Sequence, residues 1–592
     1  MCGISGIVAA APLTPPQRAA VARIGDALVH RGPDGDGVFD AEHVALAMRR
    51  LAIVDLAGGT QPMFSDDGSI AVVFNGEIYN HAALRAQLGG AFRSGGDGEV
   101  IAALYQRHGL DFVDHLRGMF AIALWDENRR RLVLTRDRMG EKPLYLCEVG
   151  RALVFASEMK ALLRSELVEA RLDSAAVDRY FHIQYVPEPQ TAITGVRKLD
   201  AGTMLVVDVA PWQVREHRYW RMADAPAITG DPPKVIAAAL DEAVELATRA
   251  DVPVGVALSG GLDSSLVAAL AARHRPVTAF TVGYAGRPPS DERHVARDFA
   301  QLAGLDFHEV EIATADVVDS FGELVAAADD PVADIAGFGY FAVMRAARRH
   351  GVQVMLKGQG GDELFWGYSE LRAARTAAHR SRLWRKITGQ GASPVRFYEH
   401  APDYRHARQH AAKQYSLDFA ARLAVAPNRD LAVATDDGID VALTAAICAT
   451  YLRGNGIVQG DRLAMASSVE LRLPLLDHGL VETIVGLRKS RSDGGLPPKA
   501  WLKAAARGLV PDSIIDAPKR GFEPPVAAWH AALFAAHGTM LIDGALVGAG
   551  VLDGAAAREL AKGAFPSGAI SPLSFKALVL EHWWRAMLGC AP

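Results

Sequence analysis

Cys2 stands directly behind the initiator methionine, in the opening MCGISGI. Its thiol is a nucleophile once ionised. Removal of Met1 would leave Cys2 with a free α-amine, a base of pKa about 7.7–8.0 beside that thiol. A nucleophile with a built-in base suits attack on a carbonyl carbon. A second chemistry is written at ALSGGLDSS, residues 257–265. Serine and glycine let backbone N–H groups approach oxygen anions closely, and a helix beginning behind them adds its dipole. No GxxxxGK[ST] phosphate loop occurs in the chain. Further on, KGQGGDELFWGY (357–368) pairs glycines with acidic residues behind the apolar run VQVML.

These residues need scaffolds, and the chain offers two. Over about the first 210 residues, glycine-punctuated runs alternate in β fashion: IAVVFNGEIYN (70–80), MFAIALWDENRRRLVLTRD (119–137) and LYLCEVGRALVFAS (144–157). Short strands divided by turn residues predict packed sheets with a few helices. RMADAPAITGDPP (221–233) carries three prolines and reads as a linker. Beyond it, VIAAALDEAVELAT (235–248) has helical periodicity and VPVGVALS (252–259) is an apolar strand. LVAALAARH (266–274) reads as helix, VTAFTVGY (277–284) as strand and SDERHVARDFAQLAGL (290–305) as helix. That alternation predicts a parallel sheet with crossover helices, an α/β fold. From about residue 370 to 590 the pattern is mostly helical. Within it LRAARTAAHRSRLWRK (371–386) has six basic residues, expected on a solvated helix face.

Composition bounds the answer. At 592 residues, and about 100–200 per domain, more than one domain is expected. Half the residues are apolar and 22% charged, the balance of a soluble globular protein. The net charge of −5 argues against bulk affinity for nucleic acid or anionic membrane. The four cysteines, Cys2, Cys147, Cys448 and Cys590, form no CxxC pair. A disulfide framework or cysteine–zinc site is therefore not expected, and a reducing cytoplasm fits. The apolar start lacks a positive n-region, so it does not read as a secretory signal. The longest near-apolar run, VALTAAICATYL (441–452), falls short of the about 20 residues a bilayer span needs.

RGPDGDG (31–37), RLAIVD (50–55), FNGEIYN (74–80), DGEV (97–100) and RDRMGEKPLY (136–145) follow Cys2 in order. Together they resemble the glutaminase domain of N-terminal-nucleophile amidotransferases, in the asparagine synthetase branch. SGGLDSS resembles the loop of enzymes that cleave ATP between the α and β phosphates. KGQGGDELFWGY, DRLAMASSVELRLPLLDH (461–478), LPPKAWLKAAARGLVP (496–511) and PKRGFEPP (518–525) resemble the synthetase blocks, again in family order.

The resemblance implies a four-layer αββα glutaminase sandwich over residues 1–215 and a linker over 216–233. Residues 234–592 would be a doubly wound, parallel-sheet ATP-pyrophosphatase with many added helices. Cys2 would attack the side-chain amide of glutamine, and Asn75 with the Gly76 N–H would form the oxyanion hole. Arg50, Asn75, Glu77 and Asp97 would bind the glutamine. Leu258, Ser259, Gly260, Gly261, Asp263, Ser264, Val282 and Gly358 would line ATP. Asp263 and Asp362 would hold Mg2+, a hard ion suited to oxygen ligands. Lys499 would neutralise the pyrophosphate or the adenylate, and Asp334, Gln359 and Asp362 would form the acceptor pocket. ATP would adenylate an acceptor carboxylate, aspartate by default, and ammonia carried through an internal channel would displace AMP. The implied partners are small molecules (glutamine, ATP and the acceptor), without nucleic acid or a membrane span, in a cytoplasmic protein for which a homodimer fits the family.

Two departures fall where the family binds its acceptor. Gln359 stands where the family carries a carboxylate, and an amide can neither pair with an ammonium as a carboxylate does nor act as a base. In DDPVADIAGFGYFAV (329–343), Ile335, Ala336, Gly337, Phe338 and Gly339 replace small hydroxyl residues and a proline. They predict a differently shaped pocket. Alternatives are the same chemistry on a uronic acid or a secondary-metabolite acid, or a glutamine-sensing protein with an inactive synthetase half. The undamaged SGGLDSS loop argues against the sensor. The absence of a CxxC pair and the net charge of −5 argue against a nucleic-acid-modifying enzyme.

Overall fold

Strict in–out alternation in the N-terminal third builds two antiparallel sheets packed face to face. The strands are β1 (Gly3–Ala9), β2 (Gly35–Asp40), β3 (Val44–Arg50), β4 (Met63–Phe64), β5 (Ile70–Ile78) and β6 (Gly118–Asp126). They continue as β7 (Arg131–Arg136), β8 (Tyr145–Val149), β9 (Ala152–Ala156), β10 (Val196–Lys198), β11 (Thr203–Val209) and β12 (Trp212–Arg218). One sheet has the order β10-β8-β9-β1-β3-β2 and the other β12-β11-β7-β6-β5-β4. The computed structural model describes residues 2–89, 92–388, 394–425, 438–518, 524–566 and 571–589. Met1, residues 519–523 of PKRGFEPP, the side chains of Arg385 and Lys386, and Cys590 lie outside them.

The alternation shows on β1. Ile4 and Val8 enter the core between the sheets with Leu46, Ala123 and Leu205. Ile7 and Ala9 face the other way, onto Val21 and Ile24 of the helix Pro15–Ala27. On the opposite sheet, Val72, Phe74 and Ile122 pack outward on Ile101 and Leu104 of the helix Glu99–His108. The result is four layers, α/β/β/α. Each buried Val, Leu or Ile contributes about 1.5–3 kcal/mol, so a one-residue register slip that turned β1 over would be strongly opposed.

The C-terminal half is organised by a parallel sheet of β13 (Val254–Ala257), β14 (Thr278–Tyr284), β15 (Asp306–Ile312), β16 (Val354–Leu356) and β17 (Glu470–Arg472). Their order is β15-β14-β13-β16-β17. The chain runs outward one way from β13 and the other way from β16. Between them lies the switch point at whose carboxyl ends ligands bind in open α/β sheets. ALSGGLDSS leaves β13 there and KGQGGDE leaves β16. The fifth strand is a short ELR inside a region whose composition reads as helix. It is a strand because β16 pairs with it, Val354 to Glu470 and Leu356 to Arg472.

The helical run Ile439–Met465 contains VALTAAICATYL and extends well beyond it. It and Val526–Gly548 are long and apolar enough to cross a membrane, but 67% and 33% of their apolar windows are buried inside the protein. The basic segment lies on the helix Ser369–Thr388. Its Arg375 departs from the expected solvated face: the side chain is 15% exposed and meets Asp440 at 2.7 Å, because Leu371 and Ala374 turn that side into the core.

The two halves meet through buried charge. Arg31, fully buried, meets Glu158 at 2.9 Å within the first half and Asp461 at 3.1 Å in the second. Lys142 donates to the Leu471 carbonyl at 3.1 Å, and Arg117 meets Asp477 at 2.9 Å. Losing one partner of such a pair costs about 3–5 kcal/mol, since the other charge is left buried alone. The interface therefore fixes β17 against the N-terminal sandwich.

Candidate active sites

Cys2 precedes β1 and is buried, with its backbone N–H donating to Asn75 Oδ1 at 3.0 Å. Its carbonyl accepts from Arg31 Nε at 3.2 Å. Burial pushes the thiol above its ordinary pKa, while the Leu51 backbone N–H works the other way. A thiol in this setting needs a base to react. Asn75 and Gly76 lie side by side on β5. Asn75 Nδ2 is buried without a hydrogen-bond partner among the described residues, a donor left open in the site. Gly76 has φ 155°, and a Cβ there would lie 2.0 Å from the Met119 carbonyl oxygen, so only glycine fits.

Around them stand the other residues expected to hold glutamine. Arg50 ends β3, and its guanidinium braces the next turn, donating to the carbonyls of Asp55 at 2.6 Å and Leu56 at 3.1 Å. Asp97 is buried and accepts from the Ile78 N–H at 2.7 Å. Burial raises its carboxyl to about 6. Burial also raises Glu77 well above an ordinary glutamate, with Asp97 adding to the effect and Arg472 of β17 opposing it. Sequence reasoning passed over Gln61, whose side chain brackets Phe74 on β5, accepting from its N–H at 2.7 Å and donating to its carbonyl at 3.1 Å. Its Nε2 lies 3.9 Å from the thiol.

The second site lies at the switch point. Gly260 has φ 78°, which lets the loop turn back, and Ser264 Oγ accepts from the Ser259 N–H at 3.1 Å. The helix Leu262–His274 starts immediately behind, with Asp263 in its first turn. Leu258 is buried beneath the loop, Val282 is half-buried on β14, and Gly358 packs against the loop backbone. A Cβ on Gly358 would come within 2.8 Å of the Ser264 nitrogen. Lys499 stands just before the helix Ala500–Ala506 with φ 58°, an uncommon backbone for a residue with a Cβ. Its ammonium bonds Asp263 at 2.6 Å and Asp362 at 2.7 Å. Those two carboxylates hold it above ordinary lysine despite burial. Two carboxylates thus surround one cation beside the SGG loop, oxygen donors of the kind a hard cation takes.

Asp334 and Gln359 approach the helical run from Ile439 differently. That run widens to π geometry over Cys448–Ile457, a distortion common at functional sites. There Asn455 donates to Asp334 at 2.8 Å. Gln359 lies against Gly456, where a Cβ would meet its Nε2 at 2.7 Å. Asp362 instead turns to Lys499. Sequence reasoning missed Lys357, although it opens the KGQGGDE block. Its Nζ is buried, sits 3.3 Å above the Tyr340 ring and has no hydrogen-bond partner among the described residues. Burial lowers it to about 7, against the pull of Glu363 and Asp334.

A thiol-bearing four-layer sandwich joined to an SGG-loop parallel sheet defines a two-part glutamine amidotransferase and ligase. The family model described as glutamine amidotransferase domain matches residues 1–220, and that described as asparagine synthase matches 235–585. The glutamine-hydrolysing asparagine synthetase 1 of Bacillus subtilis is 30% identical over 561 residues, covering 89% of this chain and 88% of its own. A putative glutamine-hydrolysing asparagine synthetase of Mycobacterium tuberculosis is 35% identical over 585 residues, covering 89% and 88%. The amidase chyE of Penicillium rubens is 30% identical over 573 residues, covering 85% and 84%. This chain belongs to the asparagine synthase family and is a carbon–nitrogen ligase of the glutamine-hydrolysing kind.

Proposed function

We propose that the protein transfers the amide nitrogen of glutamine to a carboxylate that it activates with ATP, with aspartate as the acceptor. One observation carries this reading: the buried Cys2–Asn75 pair and the Asp263–Lys499–Asp362 cluster occur on one chain. Residues 1–215 would form the glutaminase unit, 216–233 the linker and 234–592 the synthetase unit.

In the first unit, once Met1 is removed, the α-amine of Cys2 takes the thiol proton and Sγ attacks the glutamine Cδ. Asn75 Nδ2 and the Gly76 N–H receive the developing oxyanion; one such donor is worth about 10²–10³ in rate. The α-ammonium returns that proton to the amide nitrogen, ammonia leaves, and water releases glutamate from the thioester. Arg50 faces the substrate carboxylate, and Glu77 and Asp97 its ammonium. In the second unit the SGG-loop N–H groups and Lys499 bind the phosphates of ATP. The acceptor carboxylate attacks the α-phosphorus and pyrophosphate leaves. Asp263 and Asp362 fit Mg2+, which when bound supplies charge neutralisation on the phosphates. Ammonia reaches the acyl carbon through the protein, and AMP leaves.

A second reading keeps the chemistry and changes the acceptor to another carboxylic acid. Gln359 without a charge and Lys357, whose amine meets the Tyr340 ring and has no hydrogen-bond partner among the described residues, favour it. The printed name of one relative, an amidase, is compatible with it. Pyrophosphate release from ATP and glutamine, with and without L-aspartate, separates the two. Aspartate-dependent release supports the first reading; glutaminase activity without it supports the second.

A further inference from the structure

Arg472 belongs to β17, yet its side chain ends in the glutamine site. It is fully buried, and its donors are spread over both halves of the protein. Nε donates to Glu470 at 2.6 Å, and Nη1 to the carbonyls of Ala247 at 3.0 Å and Arg249 at 2.6 Å. Nη2 reaches Glu77 Oε2 at 3.1 Å. The Tyr79 ring lies 5.5 Å from the guanidinium carbon. Glu77 is 4% exposed on its side chain and stands two places after Asn75 on β5. The Arg472 carbonyl also accepts the Lys357 N–H at 3.1 Å, so the same residue anchors the start of the loop that leaves β16.

A buried glutamate beside a second carboxylate does not keep its charge unaided. Asp97, ahead of the helix Glu99–His108, and Glu470 on β17 both oppose ionisation of Glu77, and Arg472 favours it. Tyr79, two residues on, is itself held neutral by burial. Two cations favour ionisation of Glu77, Arg472 first and the chain's own N-terminal amine after it; of these, Arg472 comes from the synthetase half.

We propose that Arg472 is a positioning residue for glutamine hydrolysis: from the synthetase half its Nη2 holds the Glu77 carboxyl where it can meet the substrate ammonium, so the glutamine site is complete only with the halves docked. The proposal rests on the glutamine-site reading above. It makes glutaminase activity answer to the strand that pairs with β16 and anchors the start of the loop leaving it. A lever of this kind suits an enzyme that must not release ammonia idly.

The test uses the full chain and glutamate release from glutamine alone, which needs no acceptor. Arg472→Met should raise the glutamine KM by about 10²-fold, with a smaller change in kcat. The acid limb of kcat/KM should move to higher pH, because Glu77 then holds its proton more tightly. Arg472→Lys keeps a charge, so it should return the acid limb toward wild type while KM stays raised. If thermal melting shows Arg472→Met unfolded, Arg472→Gln carries the same test, since it can still donate to the Ala247 and Arg249 carbonyls. Wild-type turnover that Cys2→Ala abolishes establishes the underlying reading. Given that, a Met or Gln variant with unchanged KM and acid limb overturns the proposal, as does a shift that the Lys variant shares in full. Wild-type protein that hydrolyses no glutamine removes the reading and the proposal together.

Discussion

The thiol site and the SGG-loop site treat charge in opposite ways. Around Cys2, burial dominates: the thiol, Glu77 and Asp97 are all pushed toward their protonated forms. Around Lys499, pairing dominates: two carboxylates hold one ammonium charged although it is buried. In the first site Arg472 of the other half opposes that push on Glu77 without cancelling it. In the second, the two carboxylates and one ammonium satisfy one another and leave one net negative charge. The difference teaches where regulation enters. A site poised by desolvation responds to its neighbours, whereas one poised by ion pairs responds to its ligand.

Four predictions break or sharpen that contrast. Cys2→Ala should lower glutamine-dependent turnover by about 10⁴-fold or more while the ammonia-dependent reaction persists. Loss of both would mean that the sites are not separable. Asp263→Ala should lower pyrophosphate release by about 10³-fold with either nitrogen source, leaving glutamine hydrolysis intact. Unchanged release would remove Asp263 from the nucleotide site. Asn75→Ala should cut kcat for glutamine hydrolysis by about 10²-fold with little change in KM. A rise in KM alone would make Asn75 a binding residue only.

The smallest effect is the pH response. Burial raises the Asp97 carboxyl to about 6, which favours the anion above that pH and the neutral acid below it. The glutamine KM should climb about tenfold per pH unit on the acid side, while ammonia-dependent turnover follows a different profile. The linked stability effect has a definite sign. The folded pKa lies above the ordinary aspartate value of about 3.9, so the native state holds this proton more tightly than the unfolded chain. Its contribution therefore falls as pH rises from about 4 to about 6. A flat KM across that window would show that Asp97 does not meet the substrate ammonium.

Much of this was legible in the residues. Alternation in IAVVFNGEIYN and MFAIALWDENRRRLVLTRD marks the strands Ile70–Ile78 and Gly118–Asp126, because each face needs its own partner layer. VPVGVALS followed by SGG and an apolar helix marks the strand, loop and helix at the switch point. What stayed hidden depends on long-range pairing. Glu470–Arg472 is only three residues long, too short for a period to register, and is a strand because β16 lies beside it. The Arg472–Glu77 bond joins residues 395 apart in sequence. The basic run at 371–386 reads as solvated, yet Arg375 is drawn inward by Asp440 on another helix. Lys357 sits within a recognised block, but a lysine beside glycines carries no sign that a tyrosine ring will cover its amine.

The central claim is that nitrogen freed at Cys2 ends on aspartate activated through AMP. The direct measurement follows glutamine labelled with 15N at its amide, together with ATP, Mg2+ and L-aspartate, by mass spectrometry of all products. The account predicts 15N-labelled asparagine, with glutamate, AMP and pyrophosphate formed alongside it. Glutamate and free labelled ammonia with ATP intact, or cleavage of ATP to ADP and phosphate, would contradict it.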